Sequence, residues 1–183
     1  AAVLAFSALQ NNDKVGLILF SDTIELCIPP QKGRKHILRI IRELLEYRSH
    51  ASGTNIPLAL QYVTNAIKRS CTAFVISDFI DAHPSIDALS IANRKHDIVA
   101  IRVFDAFEKK LPDVGLIQMY DVESHEQRWI NTSDKNTRAR YSHNYVERIQ
   151  NLQSVFVKSG VDAVHIQSDE DYVRPLMNLF KRR

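Results

Sequence analysis

The sequence predicts an α/β fold with a doubly wound, mostly parallel sheet and flanking helices, and three observations carry that expectation. Short runs rich in Val, Ile and Phe, apolar at nearly every position, recur around residues 15–20, 74–77, 96–104 and 161–166. Runs of that kind are the pattern of strands buried on both faces. Segments of helical period separate most of them, and repeated strand, helix, strand order favours right-handed crossovers and hence parallel pairing.

Taken in order, residues 1–10 have helical composition, with Val3, Leu4, Phe6 and Leu9 available to a buried face. No N-cap precedes them, so the chain reads as opening inside a helix. Asn11, Asn12 and Asp13 make a stop and turn before the strand at 15–20. A second extended stretch, 23–28, is closed by Pro29 and Pro30, and its short connection to the first favours an antiparallel hairpin at the sheet edge. From Lys32 the period changes: Ile37, Ile40, Ile41, Leu44 and Leu45 form one helical stripe, with Arg34, Lys35, Arg39 and Arg42 mainly off it. A loop over 50–55 leads to a helix carrying Ile56, Ala59, Leu60, Val63 and Ile67, with Thr54 or Asn55 as N-cap and Pro57 in the first turn.

The run Phe74-Val-Ile-Ser-Asp78 follows, and residues 81–84 turn the chain into a helix containing Ile86, Leu89 and Ala92. After the strand at 96–104, residues 108–115 break the rhythm. Two extended pieces, 116–120 and 128–131, then read as a hairpin added to the core. A long helix over 134–159, with Tyr141, Tyr145, Ile149, Leu152 and Phe156 on one stripe, is stopped by Gly160. A last strand at 161–166 precedes a helix capped by Ser168, with acidic residues in its first turn and Lys181 and Arg182 at its end, as the helix dipole favours.

Size and composition bound the function. At 183 residues and 45% hydrophobic content the chain has room for one sizeable domain, residues 1–183, with no linker or low-complexity run. A formal charge of +3 is too balanced to point to nucleic acid, and no apolar span is long enough to cross a bilayer, which makes a cytoplasmic protein the simplest account. Cys27 and Cys71 read as two buried free thiols in apolar surroundings, rather than a disulfide. No GxGxxG, GxxxxGK[ST] or GxSxG appears, so dinucleotide, P-loop and α/β-hydrolase sites lack their parts. His36 and His96 read as satisfied structural groups.

One polar pair stands out: Thr54 at a loop entering a helix, and Asp78 where the following strand emerges. Ligands of open α/β sheets bind outside the carboxyl ends of the strands, where a hydroxyl and a carboxylate suit Mg²⁺. The structural alternative is that Asp78 caps the next turn.

The stretches Asn12-Asp-Lys-Val-Gly-Leu-Ile-Leu-Phe-Ser-Asp22, Gly53-Thr54 and Val75-Ile-Ser-Asp78, in this order, resemble a von Willebrand factor A-type domain. With Ile28-Pro-Pro-Gln-Lys-Gly-Arg34, Ser77-Asp-Phe-Ile-Asp81, His96-Asp-Ile-Val-Ala-Ile-Arg-Val-Phe-Asp105 and Leu111-Pro-Asp-Val-Gly115, the chain is more closely similar to the bacterial domain-of-unknown-function family fifty-eight. That resemblance implies a metal-ion-dependent adhesion site built from a DxSxS loop, a Thr loop and an Asp loop. Thr54 matches the second and Asp78 the third, while DxSxS occurs nowhere in the sequence. It further implies Mg²⁺ or Mn²⁺ in the intact protein, Ser77 and Asp81 as support behind the ligands, and a non-enzymatic protein-binding role beside a MoxR-type AAA+ ATPase in assembly or maturation. A metal-dependent hydrolase or phosphotransferase using Asp78 and Asp81, and a purely structural scaffold, are the rival readings. On the same resemblance the first central strand is missing, which would leave unpaired edges in the sheet and no metal bound in this fragment. Self-association is therefore expected at micromolar concentration in analytical ultracentrifugation; a monodisperse monomer would count against it.

Overall fold

The computed structural model describes residues 1–49, 53–80, 85–120 and 127–182. It divides into two compact units, Ala1–Tyr62 and Val63–Arg183, each described here by itself.

In the first unit, helix α1 (Ala2–Gln10) ends at Asn11, and Asn12 turns the chain at φ 56, a conformation Asn tolerates better than most residues. Strands β1 (Val15–Phe20) and β2 (Ile24–Gln31) pair antiparallel, as the short connection predicts. The prolines do not close β2: Pro29 and Pro30 lie inside it, and Val15 pairs with Gln31 beyond them. A two-stranded ribbon has open edges on which the missing proline N–H is tolerated, and the register shifts between Val15 and Leu17 to accommodate the pair. Gly16 sits in that shift, where a Cβ would come within 2.9 Å of the Ile28 carbonyl.

Helix α2 (Arg34–Glu46) packs on α1 and β1 through a stripe that includes the buried Ile37 and Ile40. The stripe stops short of the expected Leu45, which is 80% exposed. His36 Nε2 donates to the Val15 carbonyl at 2.8 Å, so this histidine is a satisfied structural group. Helix α3 (Ile56–Ala66) begins in this unit with Asn55 as its cap, the Oδ1 accepting from the Leu58 amide at 2.9 Å.

The second unit is built on a parallel sheet of order β3-β4-β7, comprising β3 (Thr72–Ser77), β4 (Asp97–Phe104) and β7 (Asp162–Gln167). Helix α4 (Ile86–Lys95), capped by Ser85, connects the first two strands and packs on β4. The register fixes which side chains share a face. Phe74, Val99, Ile101, Val164 and Ile166 lie on one face, while Ser77, Arg102 and His165 form a row across the other. Helix α7 (Val173–Lys181) covers the first face, where Phe180 meets Phe74 edge-on at 6.1 Å. Helix α6 (Lys135–Ser159) covers the second, with Tyr145 against Arg102 and Gln153 near His165. α4 packs on α6, which makes this unit three layers, helix, sheet and helix.

The added hairpin, β5 (Leu116–Tyr120) and β6 (Gln127–Asn131), pairs antiparallel as expected. Two elements differ from expectation. A short helix α5 (Ala106–Lys109) follows β4, held by a capping box between Asp105 and Glu108. Ser168 does not cap the last helix: α7 starts at Val173, whose amide reaches the Asp171 carboxylate at 2.9 Å, while the Ser168 hydroxyl bonds Asp105. Both cysteines are free, as expected, but half-buried rather than buried.

Gly160 ends α6 at φ 66, a left-handed conformation that penalises any Cβ. Gly160→Ala is expected to lower stability by about 1 kcal/mol, read as a shift in the urea unfolding midpoint with an unchanged slope.

Candidate functional site

Asp78 stands immediately beyond β3, at the carboxyl end of the parallel sheet, and its side chain is exposed. Its Oδ1 accepts the Ile80 amide at 3.2 Å, an Asx turn that the short side chain makes with its own backbone. The Ser77 hydroxyl accepts the Phe79 amide at 3.1 Å and lies 3.5 Å from Asp78 Oδ1, at the outer limit of a hydrogen bond. Phe79 then adopts φ 57, an outlier for so bulky a residue, and is buried against Phe156 at 5.3 Å. The turn is thus held by two side-chain oxygens and one aromatic anchor.

Thr54 is exposed just ahead of the Asn55 cap and belongs to the first unit, whereas Ser77 and Asp78 belong to the second. Asp81 lies outside the described residues. Ser77 and Asp78 fit Mg²⁺ in kind, being hard oxygen donors, and Asp78 Oδ2 takes no hydrogen bond among the described residues. They fall short in number: among the described residues no group of three His, Cys, Asp or Glu side chains is placed to hold a metal ion.

Beneath this turn lies a group that no local sequence motif singles out. Arg102, paired in register with Ser77, is 2% exposed. Its Nε donates to the Asp78 carbonyl at 3.0 Å, its Nη1 to the Tyr145 hydroxyl at 3.4 Å and its Nη2 to the Glu108 carboxylate at 2.5 Å. The guanidinium also lies over the Phe104 ring, 4.5 Å from its centre. Glu108 serves twice, since its other oxygen accepts the Asp105 amide at 3.0 Å and closes the α5 capping box. Arg148 approaches the same carboxylate at 3.9 Å. The signals available in sequence were a charged residue inside an apolar strand and the Asp-x-x-Glu spacing of a capping box.

Two histidines of this unit have their pKa values lowered. Burial, with the Arg102 charge adding to it, lowers the pKa of His165, whose Nδ1 has no hydrogen-bond partner among the described residues. Burial likewise lowers that of His96, whose Nδ1 faces Cys71 Sγ at 3.4 Å at the opposite end of the sheet. His96 is thus structural, set between the Cys71 thiol and the Val63 backbone.

Residues 1–151 match the family described as Protein of unknown function DUF58. The chain belongs to that family. The uncharacterized protein Rv1480 of Mycobacterium tuberculosis is 25% identical to this DUF58 chain over 126 residues, covering 68% of the chain and 40% of the relative. The uncharacterized protein MAV169 of Mycobacterium avium is 21% identical over 158 residues, covering 85% of the chain and 93% of the relative. Among solved structures, the conserved hypothetical protein BatB from Bacteroides thetaiotaomicron superposes with a TM-score of 0.58 at 15% identity, covering 99% of this chain and 84% of that one. An aerotolerance-related membrane protein from Bacteroides fragilis gives a TM-score of 0.58 at 13% identity, covering 98% and 86%. At those identities the likeness is one of fold. No helix among the described residues is long and apolar enough to cross a membrane.

Because the folded pKa values of His96 and His165 lie below the ordinary 6.5, the unfolded chain binds more protons in the window beneath it. Stability is therefore expected to be level above pH 6.5 and to fall as the pH drops from there toward 5, measured by urea unfolding; His165→Asn should flatten that slope. Glu108→Ala, which strands the buried guanidinium, is expected to cost about 3 kcal/mol in the same assay.

Proposed function

We propose that this DUF58 chain is part of a non-enzymatic protein-binding module of von Willebrand factor A type, in which Asp78 is a ligand-facing carboxylate at the sheet crest. The observation that carries the reading is the placement of Asp78: exposed, at the carboxyl end of a parallel strand, in a turn held by Ser77 and Phe79. Thr54 would supply a hydroxyl from the second loop, and Ser77 and Asp81 would support the carboxylate from behind. In the intact protein Asp78 and Thr54 would help to hold Mg²⁺ or Mn²⁺, which would supply a positive charge able to attract a carboxylate of the partner. The partner proposed is a MoxR-type AAA+ ATPase in cytoplasmic protein assembly or maturation, a proposal that rests on the family resemblance. The chain spans 40% of the length of the first curated relatives it matches, so the remaining ligands belong to this proposal for the whole protein.

A second reading has its own observation. Asp78 Oδ1 already caps the turn through the Ile80 amide, which is all that a structural scaffold requires of it. Asparagine keeps that hydrogen bond and discards the charge, so the two readings separate cleanly. In calorimetry of the intact protein with Mg²⁺, Asp78→Ala and Asp78→Asn are both expected to abolish binding, with Asp78→Asn keeping the unfolding midpoint. Unchanged Mg²⁺ binding in Asp78→Asn would leave Asp78 as a turn cap alone.

A further inference from the structure

We propose that Arg102 is the positioning residue for the Asp78 carboxylate, acting by clamping the peptide plane that joins Asp78 to Phe79. The inference rests on the reading of Asp78 as the binding group. A peptide unit is planar, so fixing its two polar ends fixes its orientation. Here the carbonyl of Asp78 is held by Arg102 Nε at 3.0 Å and the amide of Phe79 by the Ser77 hydroxyl at 3.1 Å. Ser77 and Arg102 are register partners on adjacent strands, so both holds arise from the same row of the sheet. With that plane fixed and the preceding Ser77 held in β3, the ψ of Asp78 is fixed, and with it the direction in which its Cα–Cβ bond leaves the backbone.

A turn cap alone does not call for a buried cation. The Ile80 and Phe79 amides are already satisfied by Asp78 and Ser77, and Phe79 is anchored by its own burial. Replacing a buried ion pair by apolar side chains is commonly neutral or stabilising, so the guanidinium contributes geometry more than stability. The arms of Arg102 also tie the crest of β3 to Glu108 of α5 and Tyr145 of α6, the two elements beside it. Lysine carries the same charge as a point, without the planar fork that holds the carbonyl and the carboxylate in fixed directions.

The test has one arm without metal and one with it. In this chain, amide hydrogen exchange at Phe79 and Ile80 is expected to speed up about tenfold in Arg102→Lys and Arg102→Met relative to the amides of β4, the change expected on losing one charge-assisted hydrogen bond. Gly160→Ala, at the far end of the sheet, serves as the control for general loss of stability and should leave those two amides in step with β4. In the intact protein the same Arg102 variants are expected to weaken Mg²⁺ binding about tenfold in calorimetry, as loss of support behind a ligand does. If Arg102→Met is unfolded by circular dichroism, Arg102→Lys, which keeps the buried charge, decides the matter. Unchanged exchange at Ile80 in the folded Arg102 variant overturns the clamp itself. Faster exchange with undiminished Mg²⁺ affinity overturns the positioning role, and unchanged affinity in Asp78→Asn overturns the binding reading on which it rests.

Discussion

A guanidinium cannot shed its charge inside a protein, so a nearly buried arginine obliges its surroundings to supply acceptors. Arg102 is such a group, and the carboxyl end of the parallel sheet is arranged around it. Glu108 answers the charge, Tyr145 and the Asp78 carbonyl take the remaining directions shown, and the Phe104 ring stacks beneath. The short helix α5 follows from the same requirement: its capping box brings Glu108 to the guanidinium while satisfying the Asp105 amide. His165, next in the row, has its pKa lowered by burial and further by the arginine beside it.

Most of the strands and helices were legible because each presents one strong period. The run at 72–77 is a strand on apolar continuity alone, and α6 is announced by its stripe from Tyr141 to Phe156 and by a glycine at its end. What was not legible depended on longer-range geometry. Pro29 and Pro30 read locally as a stop, yet a ribbon with open edges and a register shift carries them inside β2. Leu45 belongs to the arithmetic of the α2 stripe, but burial is decided by what lies opposite, and it is 80% exposed. Ser168 has the chemistry of a cap, but its hydroxyl is drawn to Asp105 across the sheet end.

The site was half legible for a related reason. Asp78 could be found because a carboxylate ending an apolar strand is conspicuous in one dimension. Arg102 is equally anomalous in its strand, but its meaning lies in the residues it meets, six, twenty-four and forty-three positions away in the chain. No local pattern encodes such separations. The DUF58 match gives the chain its family and the two structures that superpose at 0.58 share its α/β fold, while the contacts that shape the Asp78 turn are properties of these particular residues.

The positive φ of Phe79 has a consequence for how this turn tolerates change. Backbone conformation at that position would be best served by glycine, whereas the cavity beside Phe156 is best served by a large ring. No amino acid meets both demands. A smaller side chain there relieves the backbone fully only as glycine and in part as asparagine or aspartate, and each of these leaves the ring's space empty. The strain is thus retained because the side chain that causes it is also the one that keeps the chain from lifting off the core, one residue past the carboxylate that faces solvent.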